Sequence, residues 1–292
     1  MVFSWGLGNG GQLGHHDEEN GSFPREVSAL RKKPSVIIAV GNGESGRLGL
    51  GNENCCNIPK RINIKKKVVG VSCGDEHSAV FTEANTVLTW GNGTGGRLGT
   101  GDEISRTQPV LPEHKVAQIS CGSDWTAVLT LAGKVFTFGV GSYGKLGHGN
   151  DSNQLVPKLV EELDTERVVS LSCGADHMAA LNIEGDVFTW GCGGNGRLGH
   201  GSERDSKKPV LVKGMNGLVA LTVECGGYHM GVTTLDGELY MWGWNVYGQC
   251  GLGLHVENQL TPVLVEQLRG KRVLMVACGE SHTMALVSNN SS

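Results

Sequence analysis

The sequence predicts an all-β fold: a β-propeller of about 50-residue repeats, with five complete blades and one truncated. Three observations carry this expectation. The tetrapeptide Gly-x-Leu-Gly, with Cys for Leu in its last copy, ends at Gly14, Gly49, Gly99, Gly147, Gly199 and Gly251, at intervals of 35, 50, 48, 52 and 52 residues. A second anchor, Cys-Gly-x-x-His, begins at Cys73, Cys121, Cys173, Cys225 and Cys278, spaced 48, 52, 52 and 53, with Trp125 replacing one histidine. An aromatic-Gly pair follows each of the first four of these cysteines by 17 residues: Trp90-Gly91, Phe138-Gly139, Trp190-Gly191 and Trp242-Gly243. Trp5-Gly6 repeats the pair at the start, and Val40-Gly41 stands in its place in the second copy. Two independent anchors holding one phase define a repeat.

Each unit reads as short strands. Val168-Val169-Ser170-Leu171-Ser172-Cys173 alternates apolar and polar residues. After Gly174, His177 to Leu181 gives a second strand, Glu184-Gly185 a hairpin turn, and Val187 to Trp190 a third. Leu235-Asp236-Gly237-Glu238 puts the same turn chemistry one repeat later. A Gly-rich turn from Gly191 to Gly201 leads to a last short strand at Pro209 to Val212. Helical periodicity is weak throughout, with one candidate near Leu159 to Leu163.

The ends and the first interval complete the plan. One more 17-residue step from Cys278 points to position 295, beyond Ser292, while Val2-Phe3-Ser4-Trp5-Gly6 supplies that piece. The N-terminal strand is therefore expected to complete the blade begun by Val273 to Leu286, closing the ring and hiding two sheet edges. Residues 1–292 then form a single propeller, with a truncated repeat around residues 15–49. The 35-residue first interval contains no Cys-Gly-x-x-His, so Pro34 to Val40 replaces two strands and their hairpin. Either the ring closes with a thin blade, or the chain is a shortened form whose ring is strained or open. Five good copies favour the second reading.

Composition bounds the chemistry. Glycine numbers 46 of 292 residues, about twice the usual share, but only 8 prolines exclude collagen. The 25 basic and 29 acidic residues nearly cancel, which argues against a chain that coats nucleic acid. No apolar window is long enough to span a membrane, and the first residues carry no leader pattern. Nine cysteines in that context read as reduced thiols of a cytoplasmic and/or nuclear protein.

Several motifs imitate active sites. Gly6 to Gly11 fits G-x-G-x-x-G, but so do Gly41 to Gly46, Gly91 to Gly96, Gly139 to Gly144 and Gly191 to Gly196. A dinucleotide fingerprint occurs once and opens a helix, so these are backbone turns. Gly139 to Leu146 misses a P-loop because Leu146 stands where a hydroxyl would hold magnesium. Lys145 instead aligns with Arg47, Arg97 and Arg197, and is expected to pair with carbonyls or a carboxylate on a neighbouring blade. The Cys and His pairs fall once per blade and need not converge on one ion, so they read as small buried thiols and as histidines bonded to backbone. No catalytic, cofactor-binding or metal-binding residue is expected. The basic runs Arg31-Lys32-Lys33 and Lys65-Lys66-Lys67 read first as solvated surface, the second with some aptitude for an acidic partner.

What varies on the regular frame is the pair between Cys-Gly and His: Asp75-Glu76, Ser123-Asp124, Ala175-Asp176, Gly227-Tyr228 and Glu280-Ser281. These loops are expected on one face around the channel, offering carboxylates beside Trp125 and Tyr228. Aromatic anchors with a charged rim suit a protein interface.

The doubled motif, Trp-Gly-x-Gly-x-x-Gly-x-Leu-Gly after Cys-Gly-x-x-His, resembles the regulator of chromosome condensation repeat family over nearly the whole chain. The resemblance implies a propeller; members include a Ran nucleotide exchange factor, a plant UV-B photoreceptor and parts of giant ubiquitin ligases. It adds His77 and His177 to the acidic positions Glu76 and Asp176, which match places where the exchange factor meets its GTPase. The candidate partner-binding set is thus Asp75, Glu76, Asp124, Trp125, Asp176, His177, Tyr228, Glu280 and Ser281. The expected function is a non-catalytic protein-interaction propeller, the alternative being guanine nucleotide exchange on a Ran-like small GTPase. Exchange is the weaker reading, because repeats of 48 to 53 residues leave little space for an inserted hairpin and no basic tail is present. UV-B sensing is disfavoured, since Asp75, Ser123, Ala175, Gly227 and Glu280 stand where the photoreceptor has tryptophans.

Overall fold

The structure is a computed structural model that describes residues 3–6, 12–13, 15, 17–26, 37–110, 116–253 and 257–288. Alternating strands joined by Gly-containing turns fold into antiparallel sheets, one per repeat. The first two are two-stranded: β1 (Phe3–Gly6) with β2 (Gly21–Glu26), and β3 (Ile38–Gly41) with β4 (Cys56–Arg61). Four sheets of four strands follow, each in sequential order. They are β5 (Val68–Cys73) to β8 (Arg106–Val110), with β6 (His77–Thr82) and β7 (Val87–Gly91) between, then β9 (Val116–Cys121), β10 (Trp125–Thr130), β11 (Val135–Gly139) and β12 (Gln154–Leu159). The next are β13 (Val168–Cys173), β14 (His177–Asn182), β15 (Val187–Gly191) and β16 (Ser206–Leu211), then β17 (Ala220–Cys225), β18 (His229–Thr234), β19 (Leu239–Gly243) and β20 (Gln259–Leu264). A last pair joins β21 (Val273–Cys278) to β22 (Thr283–Val287). This is the propeller architecture the repeats predict. The one candidate helix is a single 3-10 turn at Glu161–Leu163.

The hairpins form where the sequence places them. Gly185 and Gly237 take φ of +91° and +82°, a region costly for side chains, in the turns between second and third strands. The core lies between blades rather than within one. Trp125, Leu129, Leu146 and Leu163 of one blade pack with Leu171, Met178 and Trp190 of the next. The repeated tryptophan is the peg of each junction. Trp90, Trp190 and Trp242 are buried, and each donates its indole N–H to the carbonyl of Arg47, Lys145 or Arg197 in the preceding turn, at 2.9–3.0 Å. An aromatic of this size combines a large buried area with one satisfied donor.

Among the described residues, the truncated repeat shows an outer half-blade. Gly41 pairs with Cys56 in the register of Gly91 with Arg106 and Gly191 with Ser206, so β3 and β4 are the third and fourth strands of their repeat. Of the expected replacement segment, residues 34–36 lie outside the described residues. The loss shows on the next blade. Val71 is 58% exposed, whereas Leu171 and Val223 at the same register position are 3% and 2% exposed. At the chain ends, β1–β2 has the outer-half register and β21–β22 the inner-half register, but no ladder joins β22 to β1 among the described residues.

Candidate functional site

The first strands β5, β9, β13, β17 and β21 stand side by side around the axis and end in the Cys-Gly turns. Their ends surround a cavity of about 470 Å³ at the channel mouth, lined by Asp75, Ser123, Ala175, Tyr228 and Glu280 together with the cysteines and glycines. Each junction is stitched near the mouth: the amides of Cys121, Cys173 and Cys225 donate to Ser72, Ser120 and Ser172 hydroxyls at 2.9–3.0 Å. Burial pushes the Cys121 and Cys278 thiols up to about 12 and raises those of Cys173 and Cys225 as well, so they stay protonated. Among the described residues no group of three His, Cys, Asp or Glu is placed to hold a metal ion.

Most carboxylates of the candidate set hold the blades together. Glu76 accepts from Asn92 at 2.8 Å and pairs with Arg97 at 3.3 Å and Arg47 at 3.4 Å. Arg47 also donates to the Asp75 carbonyl at 3.0 Å. Lys145 is almost wholly buried, with its ammonium 2.7 Å from Asp124 and 2.8 Å from Asp176, one on its own blade and one on the next. Arg47 and Lys145 are therefore interblade clamps, whereas Arg97 meets Glu76 within its own blade. Arg197 Nε donates to the Gly194 carbonyl at 2.8 Å, as Arg47 and Arg97 do to the Glu44 and Thr94 carbonyls, but its guanidinium lies 4.8 Å from the Tyr228 ring centroid of the next blade.

Two members of the set are not surface residues. Trp125 and His177 are both fully buried, and Trp125 donates its indole N–H to the Ala175 carbonyl at 3.3 Å. The expectation that they face a partner is corrected: both fill the junction between blades. The histidines bond to backbone, as expected, and to side chains of the next blade as well. His77 meets the Trp125 backbone and lies 2.9 Å through Nε2 from the Thr126 hydroxyl, and His229 meets the His282 backbone and lies 2.8 Å through Nε2 from that of Thr283. In the corresponding place after His177 stands Met230, and neither ring nitrogen of His177 meets a hydrogen-bond partner among the described residues. Burial and then Arg97 hold the His77 imidazole down to about 3; burial, Arg197 and His229 hold His177 well below its ordinary value too. These rings are neutral struts.

What remains accessible is Asp75 and Glu280, both exposed, and the half-buried Tyr228 and Ser281. Beside them lies an aromatic group the sequence reading did not assign. Trp244 packs edge-on against Tyr228 at 5.4 Å and against Tyr247 at 5.2 Å between centroids. Tyr247 and Val246 are 67% and 63% exposed. The signal was present in Trp244-Asn245-Val246-Tyr247, which puts large residues where other copies have mostly small or polar ones.

A ring of antiparallel blades with one variable loop face defines a repeat propeller whose distinctive chemistry lies on its turns. A family model described as the RCC1-like domain matches residues 29–285, and one for the regulator of chromosome condensation (RCC1) repeat matches residues 1–43. The chain belongs to the RCC1-like domain family. It is 37% identical to the human E3 ubiquitin-protein ligase HERC2 over 305 aligned residues, covering 97% of this chain and 5% of that protein. It is 40% identical over 128 residues to the Arabidopsis thaliana ultraviolet-B receptor UVR8, covering 44% of this chain and 29% of the receptor. Among solved structures it superposes on human WBSCR16 with a TM-score of 0.88 at 25% identity, covering 98% of this chain and 82% of that one. It superposes on Prp20p of Saccharomyces cerevisiae with a TM-score of 0.87 at 20% identity, covering 100% and 79%. The chain thus spans a small part of the ligase and under a third of the receptor. No helix among the described residues is long and apolar enough to cross a membrane.

Proposed function

We propose that residues 1–292 form a single non-catalytic interaction propeller whose partner is a protein bound over the channel mouth. The observation that supports this reading is the partly exposed aromatic group, Tyr228, Trp244 and Tyr247, at a channel mouth that also carries the exposed carboxylates of Asp75 and Glu280. Aromatic residues already held by edge contacts lose little freedom on binding, and a charged rim adds specificity. Within the candidate set, Asp75, Tyr228, Glu280 and Ser281 are contact residues; Glu76, Asp124 and Asp176 present their outer edges while clamping blades. The free charges of this face are acidic, so nucleic acid is not its ligand. A reduced cytoplasmic and/or nuclear setting fits the free thiols.

Guanine nucleotide exchange ranks below this reading. Prp20p is described by its binding to Gsp1p and histones, but that likeness carries the fold alone. In this chain His77 and His177 are buried, and Glu76 and Asp176 are already paired. The test compares proteins captured from extract, then rebound in purified form, by the wild type and by Asp75→Ala/Tyr247→Ala/Glu280→Ala. Loss of a specific partner with an unchanged melting temperature supports the face, and an unchanged partner set refutes it. Accelerated release of labelled GDP from a Ran-like GTPase at micromolar protein would replace this reading with exchange.

A further inference from the structure

The connection between β4 and β5 differs in length, shape and charge from the three other interblade connections that the structure describes. We infer that it makes the side opposite the Cys-Gly turns a docking site for an acidic peptide segment bearing leucine or isoleucine. In three other repeats a valine (Val160, Val212, Val265) is followed by a 3-10 turn: Glu161–Leu163, Lys213–Met215 and Glu266–Leu268. Leu163 and Met215 of these turns are buried and plug the space under the blade. From Ile62, the residue in the valine's place, to Val68 the chain is two residues shorter than from Val160 to Val168. No 3-10 turn forms there; Ile64, half-buried, bonds back to the Ile62 carbonyl at 3.1 Å.

Without the plug, two clefts of about 330 and 230 Å³ remain, sharing Arg61, Ile64 and Lys66 in their walls. Leu50 and Leu88 line the larger cleft; Ile37, Ile62 and Val68 line the smaller. Cations surround both. Arg61 pairs with Ile38 in the register where Phe136 meets Leu159 and Phe188 meets Leu211, so an arginine stands in the place of a leucine. Lys60, Arg61, Lys65, Lys66 and Lys67 are all exposed. Lys67 pairs with Glu83, and Lys66 donates to the Thr86 hydroxyl at 3.3 Å. Among the described residues neither cleft has a carboxylate in its lining, whereas the matching connection at residues 161–166 carries Glu161, Glu162, Asp164 and Glu166. A concave aliphatic floor inside a cationic rim selects a branched aliphatic side chain flanked by carboxylates. Among the described residues neither cleft is lined by an aromatic ring on which a base would stack, and the chain's net charge of −4 opposes a nucleic acid.

The test uses the full chain and a labelled eight-residue peptide with leucine at its third and sixth positions and glutamate elsewhere, read by fluorescence anisotropy. Saturable binding is expected at about 50 mM salt, weakened about tenfold or more near 500 mM. Arg61→Glu/Lys66→Glu should weaken it by a similar factor, while Lys271→Glu, in the connection before β21, changes it less than about twofold. Because Arg61 and Lys66 are exposed, the variant should melt with the wild type; Lys65→Glu provides a second, milder reversal. Replacing both leucines by serine should cost about fivefold or more. The proposal is overturned by no saturable binding, by equal affinity for the serine peptide or for an oligothymidine of equal charge, or by insensitivity to the Arg61 and Lys66 reversal.

Discussion

Replacing Lys145 with methionine removes a cation that touches carboxylates of two blades. The ammonium is 1% exposed, while Asp124 and Asp176 keep 29% and 33% of their side-chain surface in water. Breaking a fully buried pair by deleting one partner costs about 3–5 kcal/mol, because the other charge is left uncompensated. Here solvent reaches a third of each carboxylate and screens their mutual repulsion, so the expected loss is about 2 kcal/mol. At this chain length that lowers the melting temperature by about 4 °C. Lys145→Arg should cost less than about 1 kcal/mol, since Arg47, Arg97 and Arg197 hold the same place in other turns. The decisive variant is Lys145→Met combined with Asp124→Asn and Asp176→Asn, which removes the stranded charges and should recover more than half of the loss. Urea and thermal unfolding followed by circular dichroism measure all three. A Lys145→Met protein within about 0.5 kcal/mol of wild type, or a triple variant no better than the single one, refutes the clamp.

Three other outcomes follow from the same frame. His77, held down to about 3, and His229, held to about 4 by burial and His282, bind protons more weakly in the folded chain than at the unfolded value near 6.5. Their stabilisation is present above pH 6.5 and is lost as pH falls toward 4–3, by about 1–2 kcal/mol each at pH 5. Melting temperature against pH should therefore drop in this window, and a flat profile contradicts the neutral-strut reading. Gly199 sits at φ +75° with a Cβ position 2.8 Å from Trp242 Nε1, whereas Gly217 at φ +85° has nothing within 4 Å. Gly199→Ala should cost about 3 kcal/mol and Gly217→Ala about 1 kcal/mol by chemical denaturation; equal costs would show that the tryptophan peg does not matter. If β1 completes the last blade in the common register, Ser4 lies opposite Met284, as Thr89 lies opposite Ala79. A Ser4→Cys/Met284→Cys disulfide should then appear in peptide mass spectra, and its absence after oxidation rejects closure by that strand.

The blades were legible because their cause is local and repeated. Alternation in Val168 to Cys173, the turn at Glu184-Gly185 and the tryptophan before Gly191 each specify a piece of one blade, and the phase of the copies orders the blades. The short repeat was legible for the same reason, as an interval too short for four strands. The face was only half legible. Variation between Cys-Gly and His located the loops, and the aligned Arg and Lys residues pointed to a neighbouring blade. Nothing in the string separates Trp125, sealed against Ala175, from Tyr228, open to solvent, because burial at a junction depends on a residue about 50 positions away.

By itself, then, the sequence determined strand order, repeat number and the place of the defect, all properties set by residues close along the chain. The tertiary structure decided which variable residues clamp blades and which stay accessible. Lys145 draws in carboxylates from two blades, Arg197 meets Tyr228, and the shortened connection after Ile62 leaves its clefts unplugged only when blades stand side by side. Those outcomes depend on distances between repeats, which chain proximity does not encode.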